Sequence, residues 1–250
     1  MLDRRRFMTS AALGAGALAL PGCAARPRPT IAAPRPPECL LPSVKVDRSR
    51  VIRTVAGLRP YRASGFVVRR EALGDKALVH NYGHGGAGIT LSWGTSRLAA
   101  DLGLPGHSGP VAVIGAGIMG LTTARLVQEA GFPVTLYTAA LPPDTTSNIA
   151  GGQWSPYGHY RDSAVTPQWR AQFAAGLDYS WRRFQIMVGE DYGVRWLPTY
   201  VLGDRGPDPS ATPDPYHPAN RALAPREHPF PESLACTIPR SDTYPETPRP

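Results

Sequence analysis

Lysine is almost missing from this chain. Of 27 basic residues among 250, only Lys45 and Lys76 are lysines. Arginine carries the rest, and against 19 acidic residues the formal net charge is +8. The arginines are scattered and no nucleic-acid motif accompanies them, so the charge gives only non-specific attraction to anions and no nucleic-acid partner is expected. Cysteine is scarce as well. Cys23, Cys39 and Cys236 have no metal-ligand spacing, so no metal centre is expected. Cys39 and Cys236 are candidates for a disulfide in an oxidising compartment, and spacing alone leaves that open. Long apolar runs are lacking too: the uncharged stretch Thr9–Leu20 falls short of the ~20 apolar residues that a hydrocarbon core requires.

What is abundant is proline and glycine, 28 and 26 residues. The prolines gather in Pro21–Pro42 and Pro207–Pro250, stretches that should hold little helix or central strand. Hydrophobic residues make up 42%, enough for a buried core and against disorder along the whole length.

The N-terminus has the pattern of an export signal. Arg4-Arg5-Arg6-Phe7-Met8 precedes the short apolar run, a basic region followed by an h-region. The paired arginines resemble the twin-arginine motif, with Asp3 where Ser or Thr is usual. Leu20-Pro21-Gly22-Cys23 resembles a lipoprotein box, with Pro21 atypical. The expectation is a signal peptide over 1–23, a lipid on Cys23 attaching the protein to a membrane, and a Pro-rich tether over 24–46. The place is then the periplasm or the cell envelope of a bacterium. A basic, fraying helix is the plainer alternative.

Further along, Gly65–Arg69 and Ala77–Tyr82 look like short strands, and Thr90–Leu102 like a helix closed by Gly103. Val111–Ile114 is a β-branched run suited to a buried parallel strand, Ile118–Ala130 a helix and Val134–Tyr137 the next strand. Thr166-Pro167 forms an N-cap with Pro at N1. Trp169, Phe173, Leu177, Trp181, Phe184 and Val188 then recur at helical spacing, an apolar stripe that reads as core. Arg195–Leu202 reads as a strand, and loop follows Gly203.

Gly115-Ala116-Gly117-Ile118-Met119-Gly120 lies between the β-branched strand and the helix, the context a dinucleotide fingerprint demands. Gly115 permits the turn, Gly117 lets a pyrophosphate approach, and Gly120 lets helix and strand pack closely. The helix N-terminus offers free amides and partial positive charge. The acidic residue that usually bonds the ribose is missing, since the second strand runs into Tyr137-Thr138-Ala139-Ala140.

Two runs carry a family resemblance. Val111–Tyr157, with Gly115–Ala124 and Pro143-Asp144-Thr145-Thr146-Ser147-Asn148-Ile149-Ala150-Gly151-Gly152-Gln153-Trp154-Ser155-Pro156-Tyr157, resembles the N-terminal segment of the FAD-dependent D-amino-acid and D-aspartate oxidases. Arg53–Pro60 and His80–Gly94 resemble that family's C-terminal signature. Here the signature precedes the dinucleotide loop, which reads as a circular permutation joined through Gly103–Pro110. The resemblance implies an α/β fold: a Rossmann-like FAD-binding domain with an incomplete α+β substrate domain. Its segments are 47–104 (permuted signature), 105–160 (βαβ), 161–203 (partial substrate domain) and 204–250 (Pro-rich tail).

The implied cofactor is FAD. By position its binding falls to Gly115, Ala116, Gly117, Ile118, Met119 and Gly120, to Thr145, Thr146, Ser147, Gly152 and Gln153, and to Gly85, Gly86, Gly88 and Thr90. Arg59 corresponds to the arginine that grips the substrate carboxylate, and Tyr157 borders the substrate. His80 and His84 read as structural. The implied reaction takes a D-amino acid and oxygen to a keto acid, ammonia and hydrogen peroxide. Against this, the tyrosines of the family's substrate domain and about a hundred residues have no counterpart. A truncated, non-catalytic flavin-binding lipoprotein is therefore the alternative, and a nicotinamide enzyme a weaker third.

Overall fold

A two-residue turn, Gly74-Asp75, folds the first strands into an antiparallel hairpin. β1 (Val67–Leu73) pairs with β2 (Lys76–Tyr82) in the register Val67↔Tyr82 to Leu73↔Lys76. Gly74 sits at φ 61, the left-handed conformation that such hairpin turns demand. The hairpin is buried only at its base, by Phe66 and Val68, and its tip stands in solvent. The computed structural model describes residues 44–200, 214–216 and 242–246. All lie within one unit, Glu38–Pro250. The export signal, Cys23, most of the tether, the Cys39–Cys236 pair and most of the Pro-rich tail lie outside the described residues.

Helix α1 (Gly88–Gly103) starts two residues earlier than its apolar pattern suggests and is the centre of the molecule. Its buried residues are mostly small or hydroxylic: Thr90, Ser92, Gly94, Thr95, Ser96, Ala99 and Ala100, beside Leu91 and Trp93. It packs on α2 (Ile118–Glu129) and on α3 (Pro167–Ile186). The α3 contact is close because residue 94 is glycine: a Cβ there would overlap the Gly176 carbonyl. The Gly94 N–H also donates to Ser180 Oγ at 2.7 Å. Thr166 caps α3 by accepting from the Trp169 N–H at 3.1 Å, with Pro167 at its first position. Trp169, Leu177 and Phe184 are buried and Phe173 and Trp181 pack against them, so the stripe is core as expected; Val188, past the helix end, is exposed.

β3 (Val111–Ile114) and β4 (Val134–Tyr137) flank α2 and pair in parallel, Val111↔Val134 through Ile114↔Tyr137. This is the βαβ unit that the apolar pattern predicts. β5 (Arg195–Thr199) pairs antiparallel with β6 (Asp242–Glu246). That strand adds regular structure to a tail that reads mostly as loop. Pro198 and Pro245 are tolerated because a two-stranded ribbon leaves each strand an outer edge without a ladder partner. Residues 51–64 hold no regular strand, and Val51, Ile52, Val55 and Leu58 are exposed. Among the described residues no helix is long and apolar enough to cross a membrane.

Candidate functional site

The two glycine loops, far apart in sequence order, meet at the N-termini of α1 and α2. Gly88 lies 3.8 Å from Ile118 Cγ2, measured from where its Cβ would stand. In the dinucleotide loop the Gly115 N–H extends the ladder to the Tyr137 carbonyl at 2.7 Å. The first turn of α2 then folds back on the loop, and any side chain at 120 would collide with the Gly115 carbonyl. Ala116 is buried, and its N–H donates to Thr138 Oγ1 at 3.2 Å. The Ile118 N–H donates to Ser147 Oγ at 2.9 Å. Thr138 thus stands at the end of β4 where the usual carboxylate is missing. Its role was not read from the sequence; the signal was its position one residue past the strand.

Ser147 belongs to a single 3-10 turn, Thr146–Ile149, in which Thr145 Oγ1 donates to Asn148 Oδ1 at 2.7 Å. The chain then passes Gly152, which is buried, and Gln153, which is exposed. Thr90, in the first turn of α1, holds this segment: its hydroxyl donates to the Gln153 carbonyl at 3.4 Å and accepts from the Ser155 N–H at 2.9 Å. The expected FAD-binding residues therefore line one region, with Met119 and Gly120 at the α2 N-terminus.

Arg59 comes to the same region from the irregular segment 51–64. Its guanidinium lies over Gly86, in the space a side chain at that position would fill. Its Nε donates to the Gly85 carbonyl at 3.2 Å, and the Gly85 N–H donates to the Pro60 carbonyl at 3.2 Å. Among the described residues Arg59 has no carboxylate partner. Tyr157 is exposed, and its hydroxyl donates to Asp214 Oδ2 at 2.6 Å. Asp214 was not singled out in the sequence.

Two histidines, His84 and His159, are buried. His84 is buried, stacked on Phe66 at 5.3 Å, with Nε2 2.9 Å from Thr95 Oγ1. The Thr95 hydrogen goes to the Leu91 carbonyl at 3.0 Å, so the neutral His84 ring donates from Nε2. Burial, reinforced by the nearby His159, pushes its pKa down to about 3. His159 is fully buried among Tyr160, Trp169 and Phe173, and burial lowers it to about 4 against weak opposing support from the Pro156 backbone. His80 Nε2 lies 3.0 Å from Glu71 Oε1, and that contact lowers the Glu71 pKa. Among the described residues no cluster of His, Cys, Asp or Glu could hold a metal ion.

The donor set suits the phosphates of a dinucleotide. The loop folds back on itself only as glycine, and among the described residues the Met119 and Gly120 amides, in the first turn of α2, have no protein acceptor.

A family model described as DAO, FAD dependent oxidoreductase, matches residues 38–102 and 110–227. Among curated proteins the chain is 40% identical to a D-amino-acid oxidase of Streptomyces coelicolor over 76 residues, 30% of this chain and 24% of that protein. It is 50% identical to a D-amino-acid oxidase of Rubrobacter xylanophilus over 54 residues, 22% of this chain and 17% of the relative. A D-aspartate oxidase of Talaromyces thermophilus is 42% identical over 53 residues, 21% of this chain and 14% of that protein. The chain spans about a quarter or less of the length of these relatives. No solved structure matches it.

Proposed function

Because the chain belongs to the DAO family of FAD-dependent oxidoreductases, whose cofactor is FAD, we propose that it oxidises a D-amino acid. The net reaction joins the amino acid, oxygen and water and yields a keto acid, ammonia and hydrogen peroxide. The observation that carries this reading is Arg59, held over Gly86 by its bond to the Gly85 carbonyl with no acidic partner among the described residues. A guanidinium so placed offers a substrate carboxylate two parallel hydrogen bonds. Bound FAD supplies the acceptor for a hydride from the substrate Cα. The chain's own part is to hold the reactants in register. Arg59 orients the carboxylate, the amides of the α2 N-terminus take the phosphates, and the bare backbone of Gly86 leaves the space in which the Arg59 guanidinium lies.

The same reading makes segment 47–104 the family's C-terminal signature, permuted ahead of the dinucleotide loop. Side-chain bonds from Asn81 and Ser96 to α2 support it. It also makes the protein an exported one, directed by the basic and apolar N-terminal pattern and attached through Cys23.

Purified protein should show the two flavin absorption bands and bleach anaerobically with D-amino acids. Arg59 is exposed, and Arg59→Ala should slow that reduction about tenfold or more, since a hydrogen bond to a charged group contributes about 1.5–3 kcal/mol. Arg59→Lys should recover only part, and FAD content should stay unchanged in both. Bleaching of Arg59→Ala at the parental rate overturns the role of Arg59. A flavin that no amino acid bleaches favours the non-catalytic reading, and a colourless protein that binds NADH overturns both.

A further inference from the structure

Between β2 and α2, by way of α1, runs a chain of side-chain hydrogen bonds. Asn81 Nδ2 donates to Ser96 Oγ at 3.1 Å and to Thr123 Oγ1 at 3.3 Å. Thr123 Oγ1 donates to Ser96 Oγ at 2.8 Å, Ser96 Oγ is 2.9 Å from Thr122 Oγ1, and Thr122 Oγ1 donates to the Ile118 carbonyl at 2.7 Å. Ser96 Oγ also lies 3.3 Å from the Met119 carbonyl, and Thr122 Oγ1 lies 3.2 and 3.3 Å from the Ser92 and Met119 carbonyls; the shortest contacts run Thr123 to Ser96 to Thr122 to Ile118. Asn81 stands at its head and is the one amide donor in it. The chain ends on the first residue of α2, the turn whose free amides and Gly120 form the phosphate cradle. At its other end Asn81 is two residues before Gly83, where β2 gives way to the Gly83–Gly88 loop.

Asn81 holds this place at a cost. Its Oδ1 is buried and has no partner among the described residues, and a buried orphan acceptor is unfavourable. A leucine would fill the same space without that penalty.

We propose that Asn81 is a positioning residue for the cofactor: it fixes the first turn of α2 against the end of β2, so that the two glycine loops form one cradle. The proposal rests on the FAD cofactor and not on the oxidation of any particular substrate. Its effect is on FAD affinity, transmitted through Ser96, which Asn81 reaches both directly and by way of Thr123.

The test is a double-substitution cycle read as the dissociation constant of FAD, from quenching of flavin fluorescence on titration into apoprotein, with the apoprotein melting temperature measured beside it. Asn81→Leu and Thr123→Val should each weaken FAD binding about tenfold. The loss in the double variant should be smaller than the product of the two single losses, because both substitutions act on Ser96 Oγ. Apoprotein melting should stay within about 3 °C of the parent, on the scale of 1 kcal/mol for a domain of this size. Unchanged FAD affinity, multiplied losses in the double variant, or losses that track apoprotein unfolding each overturn the proposal. Should Asn81→Leu not fold, a Thr123→Val variant that is folded and binds FAD at full affinity overturns it alone. A parent that takes up no FAD overturns it outright, whereas a parent that binds FAD but is bleached by no amino acid overturns the oxidase reading and leaves the role of Asn81 standing.

Discussion

The helical layer and the parallel strand pair share α2 as their neighbour and end up in opposite conditions. Between α1 and its neighbours the fit is so close that Gly94 touches the backbone of Gly176, and Thr90, Ser92, Thr95, Ser96, Thr122 and Ser180 are all buried. Each of these hydroxyls has a hydrogen-bond partner. On β3 and β4, Val113 is buried while Ile114 and Tyr137 are 83% and 58% exposed. Parallel strands are ordinarily covered on both faces. Helix packing completes itself with small residues and local hydroxyl bonds, whereas a sheet needs further strands and a second layer. Among the described residues only the first requirement is met.

The sharpest way to break the helical side of this contrast is to separate α1 from α3. Gly94→Ala places a methyl group on the Gly176 carbonyl, backbone against backbone, so neither helix can yield by a rotamer change. A loss of about 3 kcal/mol or more is expected, at or beyond the usual range for overpacking. Gly176→Ala is the control. Its Cβ would meet neighbours at 3.6 Å, ordinary contact, and replacing a mid-helix glycine should gain up to about 1 kcal/mol. Chemical denaturation of the pair measures both, and equal losses would show that the contact is not as close as described.

Acid attacks the same layer by another route. His84 and His159 are neutral when folded, with pKa values pushed down to about 3 and about 4. Once unfolded each regains the ordinary value near 6.5. The unfolded chain therefore binds the extra protons, and stability falls as pH drops from about 6.5 toward 4. The expected slope is about 1.4 kcal/mol per pH unit for each histidine. Phe66 and Thr95 line His84, and Tyr160, Trp169 and Phe173 line His159; among the described residues neither has a carboxylate to offset its charge. Melting curves from pH 7 to pH 4.5 should show the decline, and His159→Phe should make it about half as steep. An unchanged slope in that variant would mean that His159 is already charged or solvated in the fold.

A smaller effect tests the cap of α3. Thr166→Ala removes the acceptor for the Trp169 N–H and should cost about 1 kcal/mol, read from the denaturation midpoint. Thr166→Ser should cost almost nothing.

How much of this was legible beforehand follows the same division. The βαβ unit, the α3 cap and the aromatic stripe were readable because each rests on local pattern: β-branched runs, Thr-Pro at a helix start, apolar spacing of three and four. The meeting of the two glycine loops could be read only through family resemblance, since no local pattern brings residue 88 to residue 118. Thr138 was passed over because a hydroxyl in place of a missing carboxylate has no signature of its own, and Asp214 because its partner Tyr157 lies 57 positions away. β6 escaped because proline argues against a strand, and a two-stranded ribbon relaxes that argument.

The smallest expected effect tests the bare face of the sheet. Ile114 and Val113 are neighbours on β3 with opposite environments, 83% and 7% exposed. Successive strand residues face opposite sides, so substitutions at the two report on the two faces separately. Val113→Ala removes two methyl groups from a buried position and should cost about 2 kcal/mol, as other buried truncations do. Ile114→Lys moves a charge onto a face in contact with water, and surface changes of that kind stay within about 0.5 kcal/mol. Both are read from the denaturation midpoint of the same protein. If Ile114→Lys costs as much as Val113→Ala, the face is covered in solution and the contrast between the two regions disappears.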